Sequence, residues 1–165
     1  MNIVKALFAL LALLLFVPPV NAQGRAPAVS VAPVPTVAVV RGRKTKLKLD
    51  LTVNRGFHIN SNKPHDDLLL PTTVRFNPPG GVVFANILYP EGEELVLPFM
   101  GKDTLSVYSS AFRVTAEVRA TAAAALGTQR IHGEVKFQAC DNRQCFPSKT
   151  APFDFDVRVV RARGR

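Results

Sequence analysis

The feature that most constrains the fold is a strict alternation of apolar and polar side chains. Residues 46–53 (KLKLDLTV) place four apolar side chains on one side and lysine, aspartate and threonine on the other. Successive side chains of a β-strand point to opposite faces, whereas a helix repeats every three or four residues. Residues 112–119, 131–138 and 153–159 show the same period. The sequence therefore predicts four clear strands, each with one buried face.

Shorter apolar segments predict further strands between these four. They are residues 57–60, 72–77, 82–88, 94–97 and 105–108. Proline and glycine residues typical of turns separate them. About seven to nine short strands with turns at this spacing favour a single all-β domain, an antiparallel β-sandwich. The alanine-rich residues 120–126 predict a helical turn that is too short to change this class.

The N-terminus predicts export. Lys5 precedes an unbroken apolar run over residues 6–17, and Val20-Asn21-Ala22 has the small-residue pattern of a cleavage site. The run is shorter than the roughly 20 apolar residues that span a bilayer, and two prolines end it. We therefore expect a signal peptide over residues 1–22 and a periplasmic or otherwise exported protein with no transmembrane segment after cleavage.

The remaining chain divides into three predicted parts. Residues 23–40 are rich in alanine, proline and valine and predict an extended leader, which is either a linker or an edge strand. Residues 41–162 form the predicted domain and residues 163–165 a basic tail. The formal net charge is +9, but the basic residues are scattered and no basic stretch carries aromatics that stack on bases. Nucleic acid is therefore not expected as a partner.

Cys140 and Cys145 are the two cysteines of the chain, and four residues separate them. A cysteine pair in an exported protein is usually a structural disulfide. However, closing so short a loop contributes only about 2 kcal/mol, against roughly 4 to 5 kcal/mol for a loop of a hundred residues. The alternation also places Cys140 on the strand face opposite Phe137, so its sulfur is expected to point away from the core. In the loop, Arg143 favours a thiolate and Asp141 opposes it.

Several motifs together resemble one family. Residues 56–60 (GFHIN) followed by Pro71-Thr72, and residues 137–140 (FQAC) with 145–147 (CFP), resemble the N-terminal periplasmic domain of DsbD thiol:disulfide interchange proteins. The resemblance covers residues 45–160. It implies an immunoglobulin-like fold whose cysteine pair is reduced by a thioredoxin-like domain. The pair would in turn reduce periplasmic partners such as disulfide isomerases and the thioredoxins of cytochrome c biogenesis.

The resemblance also implies residue roles. Cys145 would form the mixed disulfide with a partner, and Cys140 would resolve it. Phe99 and Met100 stand before Gly101-Lys102, where the family carries a cap, so Phe99 is the predicted gate. The neighbouring residues that we expect to tune the pair are Arg143, Asp141, Phe146, Pro147, His58 and Asn60. Thiolate exchange needs no metal or organic cofactor, and the scattered histidines predict no metal site.

The expected partners are thioredoxin-like redox proteins and a separate membrane electron donor, because the sequence shows neither a membrane electron channel nor a thioredoxin-like domain. Two alternatives are open. In the first, the chain is a non-catalytic binding or assembly module whose Cys140–Cys145 disulfide only rigidifies a hairpin. In the second, the thiols are ligands of a metallochaperone, which a lone cysteine pair and two methionines disfavour.

Overall fold

The computed structural model describes residues 27–162, so the predicted signal peptide and basic tail lie outside the described residues. Twelve strands and one short 3-10 helix, Pro98–Met100, make up the regular structure of this part. The strands are β1 (Val29–Val31), β2 (Val37–Val40), β3 (Lys44–Val53), β4 (His58–Asn60), β5 (Thr73–Asn77), β6 (Val82–Leu88), β7 (Glu93–Val96), β8 (Thr104–Tyr108), β9 (Ala111–Ala120), β10 (Gly127–Phe137), β11 (Ala139–Cys140) and β12 (Lys149–Val160). The predicted all-β class is confirmed.

The strands form three four-stranded sheets, β1-β3-β9-β6, β2-β12-β10-β5 and β11-β4-β8-β7. Neighbouring strands are antiparallel except β2, which runs parallel to β12. The first two sheets enclose the main core, and the third carries the first cysteine. No helix of the described residues is long and apolar enough to cross a membrane.

The alternating segments supply the main core. β3 pairs with β9 from Lys44 opposite Arg119 to Thr52 opposite Ala111, and this register turns the apolar residues of both strands to one side. Members from the two facing sheets include Leu47, Leu49, Leu51, Val114, Val118, Ile131, Val135, Phe155 and Val157. The five weaker strand candidates are present as β4 to β8, with ends within one residue of the prediction.

The predicted leader contributes two strands to the sandwich. Val29 lies opposite Val53 at the edge of the first sheet, and β2 lies beside β12 in the second sheet. Val29 and Val39 are 2% and 0% exposed, so both belong to the core. The sandwich therefore begins before residue 41.

Residues 120–126, which were predicted to form a helical turn, contain one hydrogen-bonded turn and no regular helix. Ala120 ends β9, and the backbone then forms a turn in which the Ala124 amide donates to the Thr121 carbonyl at 3.2 Å. The Thr121 amide donates to the Gly81 carbonyl, in the loop between β5 and β6, at 2.8 Å. Bonds to another segment outweigh the alanine helix propensity because a helix this short cannot offset its nucleation cost.

Candidate functional site

The two cysteines lie in a tight hairpin that follows β10. Cys140 ends β11, and Cys145 forms a disulfide with it, with their Cα atoms 3.9 Å apart. The Phe146 amide donates to the Ala139 carbonyl at 2.8 Å, and the Asp141 amide donates to the Gln144 carbonyl at 2.9 Å. Backbone hydrogen bonds therefore close the hairpin together with the disulfide.

Asp141 shapes the hairpin loop. Its Oδ1 atom accepts hydrogen bonds from the backbone amides of Arg143 and Gln144, at 2.8 and 3.0 Å. This arrangement is the turn that aspartate side chains make with the amides that follow them. The Arg143 side chain is exposed. Asp141 thus stabilises the turn of the loop. The sequence had suggested only that its negative charge opposes a thiolate.

The two cysteine residues are unequally exposed. Cys140 is 2% exposed, whereas Cys145 is partly exposed. Cys140 packs with Leu97, Leu105 and Val107 in a small apolar cluster that is separate from the main core. The predicted orientation away from the main core agrees with this, and the apolar residues of this second cluster bury Cys140 on that side.

The third sheet connects β11, the strand of Cys140, to β7, the strand that ends just before Leu97. Two strands, β4 and β8, lie between them. β11 pairs with β4, β4 with β8, and β8 with β7. The loop between β7 and β8 contains Leu97, which is 1% exposed, and the 3-10 helix Pro98–Met100. The loop that carries the predicted cap therefore connects two strands of the sheet that contains Cys140.

Within this loop the structure distinguishes Leu97 from the predicted cap. Phe99 is 41% exposed, and Leu97 is the loop residue that packs in the cluster of Cys140. The side chain of Met100 lies outside the described part of the chain. Leu97 was not among the predicted site residues. It ends the predicted strand 94–97, where it lies on the same face as Leu95.

Gln138, which immediately precedes β11, joins three segments around the cysteines. Its Oε1 atom accepts hydrogen bonds from the Leu70 amide at 3.4 Å and from Asn60 Nδ2 at 3.3 Å. Its Nε2 atom donates to the Phe146 carbonyl at 3.3 Å. Asn60 Nδ2 also donates to the Leu70 carbonyl at 3.0 Å. Two side-chain amides therefore hold the loop around Leu70 beside the cysteine hairpin.

This network gives Asn60 its place. Asn60 is 1% exposed and is one of the few buried polar residues of the described chain. Its backbone carbonyl accepts a hydrogen bond from Thr72 Oγ1 at 2.6 Å. The hydrogen bonds of Asn60 therefore organise the loop over residues 61–71, and its predicted tuning of the cysteines stays a prediction.

The exit from the hairpin is anchored by aromatic rings. Phe146 packs edge-to-face on Phe57, with ring centroids 6.0 Å apart and an interplanar angle of 66°. Gly56 precedes Phe57 with φ +83°, a left-handed conformation that favours glycine in the turn before β4. Pro147 is exposed. Phe146 therefore fixes the hairpin on the main core, and Pro147 borders it at the surface.

His58 lies directly beside the disulfide. It opposes Cys140 in the pairing of β4 with β11. Its Nδ1 atom is buried and has no hydrogen-bond partner. The other two histidines lie in ion pairs elsewhere: His65 Nε2 is 2.9 Å from Glu94, and His132 Nδ1 is 2.6 Å from Asp154. Among residues 27–162 with described side chains, no three histidine, cysteine or acidic residues form a potential metal site.

The site geometry and the sequence motifs agree with one family. Residues 26–156 match the model of the family described as thiol:disulfide interchange protein DsbD, N-terminal. The chain belongs to this family. The resemblance inferred from the cysteine motifs is thereby confirmed, and the strand order described above agrees with the predicted β-sandwich. No curated protein matches the chain.

Two solved DsbD N-terminal domains from Neisseria meningitidis are similar to the chain. The first, in its reduced form, is 17% identical with a TM-score of 0.46, and the match covers 76% of this chain and 85% of that one. The second, solved in a complex with the PilB N-terminal domain, is 19% identical with a TM-score of 0.44 and coverage of 84% and 86%.

Proposed function

We propose that the protein is an exported thiol:disulfide exchange module whose Cys140–Cys145 pair passes electrons from a membrane or thioredoxin-like reductant to periplasmic client disulfides. The unequal exposure of the two cysteine residues, in a chain of the DsbD N-terminal family, carries this proposal. A partner reaches the partly exposed Cys145 more readily than the buried Cys140. This asymmetry supports Cys145 as the attacking thiol and Cys140 as the resolving thiol.

Thiolate exchange accounts for the transfer without a cofactor. In the reduced protein, the Cys145 thiolate attacks one sulfur of a client disulfide, forms a mixed disulfide and releases the other client sulfur as a thiolate. Cys140 then attacks the Cys145 sulfur, forms the internal disulfide and releases the second client sulfur. The pair loses two electrons and the client gains them. A reductant restores the two thiols by the same steps in reverse.

The proposal includes a compartment and partners. Signal-peptide cleavage after Ala22 would deliver the domain to the periplasm, where members of the family exchange disulfides. The clients would be thioredoxin-like redox proteins, including those of cytochrome c biogenesis, and the electrons would come from a separate membrane donor.

The alternative is a binding or assembly module with a structural hairpin disulfide. The burial of Cys140 at 2% exposure favours it, because buried sulfurs are generally inert. Against it, two backbone hydrogen bonds and the contact between Phe146 and Phe57 already hold the hairpin. The conformation of the hairpin therefore does not depend on the disulfide alone.

The midpoint potential of the disulfide tests the proposal. The protein is equilibrated with dithiol buffers of graded potential, and the thiols are trapped by alkylation and counted by mass spectrometry. We expect a midpoint above about −300 mV, the level below which structural disulfides of exported proteins typically lie. The urea-unfolded protein gives the reference for the unconstrained pair. A bridge still oxidised in buffers below that level would contradict the proposal and support the structural alternative.

Phe99→Ala tests the proposed cap. Phe99 is 41% exposed in the short 3-10 helix that follows Leu97, and we propose that its ring restricts access to the sulfurs. We expect the variant to speed alkylation of the reduced cysteines by a bulky maleimide several-fold. Leu88→Ala, at a residue 63% exposed on β6, is the matched control and should not change the rate. Equal rates for Phe99→Ala and the wild type would remove Phe99 as the gate.

A further inference from the structure

We infer that His58 is the acid–base residue of the exchange reaction. It would take the proton from the Cys140 thiol when that thiol resolves a mixed disulfide, and return it when the internal bridge is reduced. The inference rests on the proposed function, because it assigns a proton acceptor to the step that Cys140 performs there.

The strand register places the two side chains together. His58 and Cys140 are direct partners in the antiparallel pairing of β4 and β11. Directly opposed residues of such a pair project from the same face, with Cβ atoms roughly 4.5 to 5.5 Å apart. The next pair, Ile59 and Ala139, projects from the other face and packs in the main core. The imidazole and the sulfur are therefore neighbours on the face that the small apolar cluster covers.

The unpartnered nitrogen of His58 fits a partner that exists only in the reduced protein. Nδ1 is buried without a hydrogen-bond partner, which is uncommon for a buried polar atom. In this structure Cys140 is half of a disulfide and has no S–H group to donate. Reduction creates that donor on the residue directly opposite. The orphaned nitrogen is then an acceptor held in place for the Cys140 thiol.

Cys140 needs such a group more than Cys145 does. It packs among Leu97, Leu105 and Val107, and apolar surroundings disfavour a charged thiolate. Cys145 also packs against this cluster but is only partly buried, so it depends less on a buried proton acceptor.

The carboxylates of the hairpin loop and of β7 have other partners. Asp141 binds the amides of its own loop, and the Arg143 side chain is exposed. On β7, Glu93 accepts hydrogen bonds from the hydroxyls of Ser109 and Ser110. Among these groups and His58, the imidazole is the one that the strand register sets opposite the buried sulfur.

In the mixed disulfide, the Cys140 S–H proton moves to His58 Nδ1, and the thiolate attacks the Cys145 sulfur. The bond between Cys145 and the client breaks as the Cys140–Cys145 bond forms. The leaving client sulfur takes the electron pair and is protonated by the imidazolium or by water. Reduction of the bridge reverses each transfer.

The aryl disulfide dithiobis(nitrobenzoate) separates the two steps without a protein client. Attack by Cys145 releases one coloured thiolate, and resolution by Cys140 releases a second. We expect His58→Phe to leave the first phase unchanged and to slow the second about 100-fold at neutral pH, the lower end of what a positioned acid–base group contributes. The slow phase should recover only above about pH 8.5, where an ordinary thiol ionises unaided, because apolar surroundings disfavour the Cys140 thiolate. His58→Gln provides a second variant if the phenylalanine disturbs folding.

The controls separate this inference from the proposed function. His65→Phe changes a surface histidine paired with Glu94 and should behave as the wild type. A wild-type second phase in both His58 variants, while the wild type releases two equivalents, would overturn the role of His58 alone. Release of fewer than two equivalents by the reduced wild type would overturn both, because Cys140 would then not resolve at all.

Discussion

Leu97→Ala is expected to lower the free energy of unfolding by about 2 to 5 kcal/mol, the range for truncating a buried leucine. Leu97 is 1% exposed and packs with Leu105, Val107 and Cys140. Its loss would leave a cavity against the buried sulfur. We therefore also expect faster reduction of the disulfide by a small dithiol, because the cluster that covers Cys140 becomes looser.

Val96→Ala is the matched control for this effect. Val96 precedes Leu97 in the same chain segment but is 50% exposed, so its truncation should change stability by less than about 0.5 kcal/mol. Urea unfolding measures the stability of both variants, and thiol trapping measures their reduction rates. A stability loss in Leu97→Ala without faster reduction would show that the cluster does not control access to the sulfur.

Much of the fold could be predicted from the sequence because each long strand has one solvent-exposed and one buried face. The alternation in β3 and β9 specifies their faces, and the observed register brings the apolar sides together. The same alternation predicted that the Cys140 side chain points away from the main core. β6 was predicted over its full length from a short apolar segment beside turn residues, although most of its residues are exposed.

The environment of the cysteines could not be predicted in the same way. The cover of Cys140 comes from Leu97, Leu105 and Val107, which are distant in sequence and reach it through pairings of two to four residues. Such short strands carry too few alternating residues to reveal their partners. The resemblance therefore suggested a cap at Phe99, while the packing that buries the sulfur involves Leu97.

Gln138 illustrates the same limit. The sequence shows a glutamine on the polar side of a strand, which typically faces solvent. Its hydrogen bonds to Leu70, 68 residues away, and to Asn60, 78 residues away, depend on the third sheet. No local pattern encodes those contacts.

Cys140→Ser is expected to convert the protein into a trap for its partners. In the reduced variant, Cys145 can attack a client disulfide, but no second thiol resolves the product, so the mixed disulfide accumulates. Cys140→Ala is a companion variant, because serine places a hydroxyl in an apolar cluster and alanine does not. Cys145→Ser retains only the buried thiol and should capture little or nothing.

Capture by the Cys140 variants tests the central claim most directly. Each reduced variant is mixed with an oxidised thioredoxin-like periplasmic protein, quenched with acid, and analysed by non-reducing electrophoresis and peptide mass spectrometry. We predict a dithiol-sensitive adduct linked through Cys145 in Cys140→Ser and Cys140→Ala, and its absence in Cys145→Ser. No adduct in any variant, or an adduct linked through Cys140, would contradict the account.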